Sequence, residues 1–242
     1  MKCIILAAGY ATRLYPLTEN FPKPLLKVKG KTILDRLIED INLSGEIEHY
    51  VIVSNSKYKA HFDEWAKPQP YNITVVDDGT VSNDARLGAV RDIQFAVDHL
   101  KLNDEILVIA GDNLLDFSLC KFISYAQENQ TSCVMRYHEK NIEKLKKCGV
   151  ICIDENDRII SMEEKPITPK SHWIVPPFYY FTKSDAQKIP AAISEGCATD
   201  APGSYIAWLC KKSPVYAMEM QGNRYDIGNL ESYQKICLEY PE

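Results

Sequence analysis

Apolar and polar positions along this chain fall into blocks whose period switches between two values. Lys2 to Ala8 (KCIILAA) is a continuous apolar run of strand length. In Thr32 to Leu43, Ile33, Leu34, Leu37, Ile38 and Ile41 share one face of a 3.6-residue period, which predicts an amphipathic helix. The same contrast predicts strands at Tyr50 to Ser54, Ile73 to Val76 and Glu105 to Ala110, and helices at Tyr58 to Lys67, Arg86 to Leu100 and Asp116 to Asn129. Strands alternating with helices build βαβ units, hence a mainly parallel sheet covered on both faces.

The rhythm then changes. Gly149 to Ile153, the turn Asp154-Glu155-Asn156-Asp157 and Arg158 to Met162 read as a hairpin. Trp173 to Thr182 is a strand broken by Pro176-Pro177, Ser204 to Lys212 a helix, Val215 to Met220 a strand, and Asn229 to Tyr240 a closing helix with Asn229 as its natural cap. With no linker or repeat, the expectation is an α/β, Rossmann-like fold with a mainly parallel mixed sheet. A single domain over 1–242 is expected, with a nucleotide-binding half to about residue 115 and an acceptor-binding half from about 116. Open α/β sheets hold ligands at the carboxyl ends of their strands.

Composition narrows the partners. A net charge of −5 argues against nucleic acid or an anionic membrane as the main partner, so an anionic substrate needs a local basic pocket. No stretch approaches the roughly 20 apolar residues that span a bilayer. The amino-terminal apolar run is too short for a secretory leader and reads as a buried first strand. The eight cysteines form no CxxC pair and mostly sit in apolar runs, so reduced thiols and a cytoplasmic location are expected.

Four strings carry candidate chemistry. Leu6 to Thr18 (LAAGYATRLYPLT), followed by Lys23-Pro24-Leu25-Leu26, runs from a strand into small residues and then cations. Small residues let backbone N–H groups approach phosphate, Arg13 offers a bidentate fork and Lys23 a point charge. The spacing matches neither GxxxxGK[ST] nor GxGxxG. Ala110-Gly111-Asp112-Asn113 ends an apolar strand with a carboxylate suited to a hard cation, although the same string also makes an ordinary turn. Glu163-Glu164-Lys165-Pro166 reads equally as a solvated strand edge or as an acceptor site. Arg224-Tyr225-Asp226-Ile227-Gly228 supplies a second carboxylate, far from Asp112 in sequence.

With these strings in this order, the chain resembles the sugar-1-phosphate nucleotidyltransferase family, of the nucleotide-diphospho-sugar transferase fold, a three-layer sandwich. The resemblance implies that Leu6, Ala8, Gly9 and Thr12 line the nucleotide site and that Arg13, Lys23 and Lys165 are the catalytic cations. Arg13 and Lys23 act on the triphosphate and Lys165 on the acceptor phosphate. It implies that Gly88 and Asn83 lie against the base, that Asn113, Gly149, Glu164 and Tyr179 face the acceptor, and that Asp112 and Asp226 hold Mg²⁺, Asp112 also touching nucleotide. Three departures stand out: Ala11 replaces a glycine of the usual phosphate turn, Asn83 stands where a base-reading glutamine is usual, and Pro177 replaces a glycine before an aromatic strand.

The implied partners are an NTP (dTTP, UTP or CTP) and a small phosphorylated acceptor, with neither nucleic acid nor membrane, in a monomer or small homo-oligomer. A phosphate oxygen is already ionised at neutral pH and needs no general base. His49, His61, His99, His138 and His172 all lie outside the four strings. The nearest alternative is the same chemistry on a non-sugar acceptor such as phosphocholine, with Trp173, Phe178, Tyr179 and Tyr180 as an aromatic cage. A regulatory, catalytically dead relative would have to lose cations that are all present. A nicotinamide dehydrogenase lacks support without GxGxxG.

Overall fold

A computed structural model describes residues 1–241. In chain order its main elements are β1 (Lys2–Leu6), α1 (Ile33–Asn42), β2 (His49–Ser54), α2 (Lys59–Ala66), β3 (Ile73–Asp77), α3 (Ala89–His99), β4 (Ile106–Ala110) and α4 (Cys120–Asn129). There follow β5 (Ser132–His138), β6 (Gly149–Ile153), β7 (Ile159–Glu164), β8 (Trp173–Val175), β9 (Phe178–Phe181), α5 (Gly203–Leu209), β10 (Val215–Glu219) and α6 (Leu230–Glu239). The chain is a mixed α/β protein, and it folds as two compact units with interleaved segments.

The first unit comprises Lys2–Arg86, Ala110–Cys120 and the chain from Gln221. Its three long strands are parallel: Lys2 to Leu6 register with His49 to Val53, and Tyr50 to Ser54 with Ile73 to Asp77, while two short pairs, Lys27–Val28 with Lys31–Thr32 and Leu114–Leu115 with Arg224–Tyr225, are antiparallel. Ile4, Ile5, Val51, Ile52 and Val53 are fully buried, as continuous apolar runs in a parallel sheet should be. Helix α1 buries the predicted stripe of Ile33, Leu34, Leu37, Ile38 and Ile41, and Thr32 caps it by accepting a 2.9 Å bond from the Asp35 N–H. Asn229 and Ser232 form a reciprocal capping box on α6.

The second unit, built mainly from Leu87–Ile109 and Lys121–Met220, is mixed. The predicted hairpin is present as β6 and β7, and β8 pairs antiparallel with both β6 and β5. Strand β9 pairs antiparallel with β4 and β5, while β10 runs parallel to β5. Pro176-Pro177 separates β8 from β9, as the missing amide hydrogens require.

Strand β5, not foreseen from the sequence, is the hub of this unit, and its Ser132 to Arg136 stretch is buried. Two predicted helices start late. Helix α3 begins at Ala89 because Gly88, at φ 92°, cannot be a helical residue. Helix α4 begins at Cys120 because the Asp116 carboxylate is taken by the Asn223 backbone and side chain and the Tyr225 hydroxyl.

Candidate active site

In the first unit the candidate residues gather where β1 ends. The Ala7 N–H donates to the Val53 carbonyl at 2.8 Å, continuing the ladder, after which the chain leaves the sheet. Asn55, fully buried, fixes that exit: its Nδ2 donates to the Ala8 carbonyl at 2.8 Å while its Oδ1 accepts from the Tyr58 N–H at 3.0 Å. Buried Thr18 donates to the Ala11 carbonyl at 2.8 Å, and the Tyr58 hydroxyl donates to the Thr18 carbonyl at 2.6 Å. The turn is thus held from behind, leaving Gly9, Thr12 and Arg13 exposed to take a ligand. Ala11 adopts φ 45°, ψ 42°, the left-handed region, so the turn keeps the backbone shape a glycine suits although a methyl group is present.

Lys23 opens a short helical turn between Pro22 and Pro24. Its ammonium reaches Asp112 Oδ2 at 2.7 Å; the two side chains are 9% and 41% exposed. Asp112 stands on a turn pressed against β1: Gly111 donates to the Leu6 carbonyl at 2.9 Å, and a Cβ at Gly111 would lie 3.0 Å from Ile5. Burial alone would raise the Asp112 carboxyl. The Lys23 charge and hydrogen bond, helped by the Arg224 charge, outweigh it and hold the group below the usual carboxylate range. Leu6, Gly9, Ala11, Arg13, Lys23, Asp112, Ile227 and Gly228 line one cavity of about 250 Å³. Asp226 is exposed on the loop immediately before Ile227 and Gly228.

Two expected residues already have protein partners. Asn113 is 1% exposed, donates to the Ala110 carbonyl at 2.7 Å and accepts from Arg224 Nη1 at 3.0 Å. Both ends of its amide are occupied, and it steadies Arg224 beside Asp112. Asn83 is exposed in a short helical turn and accepts from Arg86 at 3.3 Å.

In the second unit, Glu164 ends β7 opposite Gly149 of β6. Its Oε1 would be 2.9 Å from a Cβ at Gly149 and would collide with one at Gly203, so two glycines make room for this carboxylate. Burial raises the Glu164 carboxyl above its ordinary range and Asp200 adds to that, while Lys165 opposes it. Lys165 follows at φ 49°, with its N–H bound to the Cys148 carbonyl at 3.0 Å and its ammonium 3.5 Å from Asp200 Oδ2. Tyr179 is 3% exposed in β9, its ring stacked on Phe181 at 6.1 Å. Gly88 is pressed against Thr199: a Cβ there would meet the Thr199 carbonyl oxygen at 2.5 Å.

Sequence reasoning missed Asn55, Thr18 and Tyr58 as supports, Arg224 as a neighbour of Asp112, and Asp200 and Gly203 beside Lys165 and Glu164. Arg224 and Thr18 lay inside recognised strings and could have been found there. The others act through contacts remote in sequence.

The sequence matches the nucleotidyl transferase family over residues 2–242. The chain belongs to that family. Among its relatives it is 33% identical over 230 residues to the bifunctional protein GlmU of Methanocaldococcus jannaschii, covering 94% of this chain and 51% of that protein. It is 26% identical over 239 residues to the UTP–glucose-1-phosphate uridylyltransferase AglF of Haloferax volcanii, covering 94% and 91%. The chain thus spans about half the length of the GlmU relatives it matches. Among solved structures, UDP-glucose pyrophosphorylase in complex with UDP-glucose superposes with a TM-score of 0.81 at 24% identity, covering 98% of this chain and 96% of that one. The UTP-bound UGPase from Acinetobacter baumannii does so with 0.77 at 19%, covering 99% and 92%. These structures share the nucleotidyltransferase fold with this chain.

Proposed function

We propose that this nucleotidyl transferase moves a nucleoside monophosphate from an NTP to a sugar 1-phosphate, releasing pyrophosphate. The observation that carries it is the buried Lys23 paired with Asp112 in a cavity that Arg13 and Gly9 also line. Such a pocket presents fixed positive charge and open backbone to a polyphosphate. Arg13 grips the leaving pyrophosphate and Lys23 bridges the donor phosphates. Lys165 neutralises the acceptor phosphate, and Glu164 accepts hydrogen bonds from acceptor hydroxyls. An ionised acceptor oxygen displaces pyrophosphate at the α-phosphorus, and no protein proton is moved.

A divalent ion suits the donor set. Asp112 and the loop of Asp226 border one cavity, and Mg²⁺ typically takes one or two carboxylates and completes its shell with substrate phosphates and water. When bound, it neutralises phosphate charge and orients the α-phosphate. Magnesium is the ion proposed.

Burial favours a sugar over a choline-type acceptor. Phe178, Tyr179 and Tyr180 are at most 3% exposed in β9, and the Trp173 ring is already faced by the Arg136 guanidinium at 4.6 Å. No aromatic cage is built from these four. Relatives named for UTP make UTP the first donor to test, with dTTP and CTP beside it. The test is pyrophosphate release for each NTP against sugar 1-phosphates and phosphocholine. Turnover with sugar 1-phosphates supports the reading; turnover confined to phosphocholine, or none with any pair, overturns it.

A further inference from the structure

The segment from Thr199 to Gly203 joins two parts of the second unit. The Thr199 and Asp200 carbonyls accept from the Val90 and Ala89 N–H groups at 3.0 and 3.2 Å, serving the first turn of α3, which has no side-chain cap. Gly203 makes room for Glu164 at the other end. Between them, the Asp200 carboxylate lies 3.5 Å from the Lys165 ammonium, and the two side chains are 55% and 58% exposed. The Lys165 backbone is pinned at its own end by the Cys148 carbonyl. Both partners therefore spring from fixed backbone, and the resting place of this lysine is set by Asp200.

We propose that Asp200 is a built-in competitor for the acceptor phosphate: it occupies Lys165 in the free enzyme and the phosphate must displace it. This rests on the reading of Lys165 as the acceptor-phosphate cation. Lys165 has Glu164 before it in the chain and Asp200 across from it, two carboxylates around one ammonium. A phosphate dianion arriving there loses part of the lysine's attraction and meets like charge besides. Exposed pairs of this kind are weak, so the competition lowers acceptor affinity without blocking it. The same carboxylate reclaims the lysine as product leaves. Asp200 thus acts through Lys165 and sets how tightly a phosphate is held.

Asp200→Asn keeps the backbone carbonyl that serves α3 and removes the charge. The probe is inorganic phosphate, read as the concentration that half-protects Lys165 from acetic anhydride, mapped by mass spectrometry with exposed Lys211 as internal reference. In Asp200→Asn the half-protecting concentration should fall about 1.5- to fivefold at low salt, with the difference shrinking as salt screens the charge. Asp200→Glu should restore the wild-type value, which a merely structural role would not predict. With UTP saturating and glucose 1-phosphate as acceptor, KM should fall by a similar factor while kcat does not rise. Protection in both proteins at equal phosphate overturns the inference and leaves Lys165 as the phosphate cation. If phosphate protects Lys165 in neither protein, the assignment of Lys165 fails and the inference with it.

Discussion

Two lysines in this chain each rest on a carboxylate, and the two pairs differ in every physical respect. Lys23 and Asp112, in the first unit, are 2.7 Å apart with the ammonium 9% exposed. Lys165 and Asp200, in the second, are 3.5 Å apart and more than half exposed. Lys23 sits between prolines on a short helical turn with few ways to move, and Asp112 is braced by Gly111 against β1. Lys165 follows the end of a strand and reaches into solvent. The inner pair is preorganised charge, costly to disturb and slow to adapt. The outer pair is a loosely held charge that a ligand can take over. Under the roles proposed for the two lysines, a transferase has reason to differ in this way at its two substrates, because a triphosphate must be held in one geometry while an acceptor must also be let go.

The largest effect expected comes from breaking the inner pair. Lys23→Met should lower kcat by roughly 10²–10³, by analogy with the loss of one preorganised donor. Asp112→Asn should abolish the response to magnesium. It should also weaken Mn²⁺ binding in the presence of UTP, read by electron paramagnetic resonance; unchanged Mn²⁺ binding would remove Asp112 from the metal site.

Stability should separate the pairs next. Asp112→Ala leaves a lysine that is 9% exposed without its partner and should cost about 2–3 kcal/mol. Asp200→Ala should cost less than about 1 kcal/mol, as exposed pairs do. Urea unfolding of both variants checks the order, and equal losses would erase the distinction between a buried and a solvated pair.

That distinction was only partly visible in the sequence. Both lysines and Asp112 stood in recognisable strings because short-range spacing records them. Their burial did not, because it depends on what the chain brings back later. Asn55 bonds the Ala8 carbonyl, and Asp200 reaches Lys165, across stretches in which nothing repeats. The strand framework was legible wherever β-branched runs were dense, as in β1, β2, β3 and β4. Strand β5 escaped because Ser132-Cys133-Val134-Met135-Arg136 contains a single β-branched residue, yet it is buried. Packing from β8, β9 and β10 makes it a strand. The late start of α3 likewise follows from Gly88 meeting Thr199, a contact no local pattern announces.

A smaller effect probes the outer region through pH. Burial raises the Glu164 carboxyl in the folded protein above its unfolded value. The folded state then binds a proton that the unfolded state has released. This contribution to stability is fully present below the ordinary glutamate value and is lost as pH rises through the raised one. Glu164→Gln should therefore gain stability relative to wild type as pH climbs from acid toward neutral, read as the difference in Tm. A difference independent of pH would mean that the carboxylate is solvated and that the two glycines leave it more room than they need.

The smallest effect expected concerns the two non-glycine residues that hold left-handed backbone at these sites, Ala11 at φ 45° and Lys165 at φ 49°. At Ala11 the conformation costs an L-residue about 1–2 kcal/mol, whereas glycine adopts it freely but loses about 0.5–1 kcal/mol more entropy on folding. The two terms nearly cancel, so Ala11→Gly should change stability by less than about 1 kcal/mol. The turn is held from behind by Thr18 and Asn55 rather than by this methyl group. Donor KM should accordingly stay within about twofold, a difference of under half a kcal/mol. A large rise in KM would show that the methyl group itself shapes the phosphate cavity it lines, and that the inner region owes its rigidity to Ala11 as well as to Lys23.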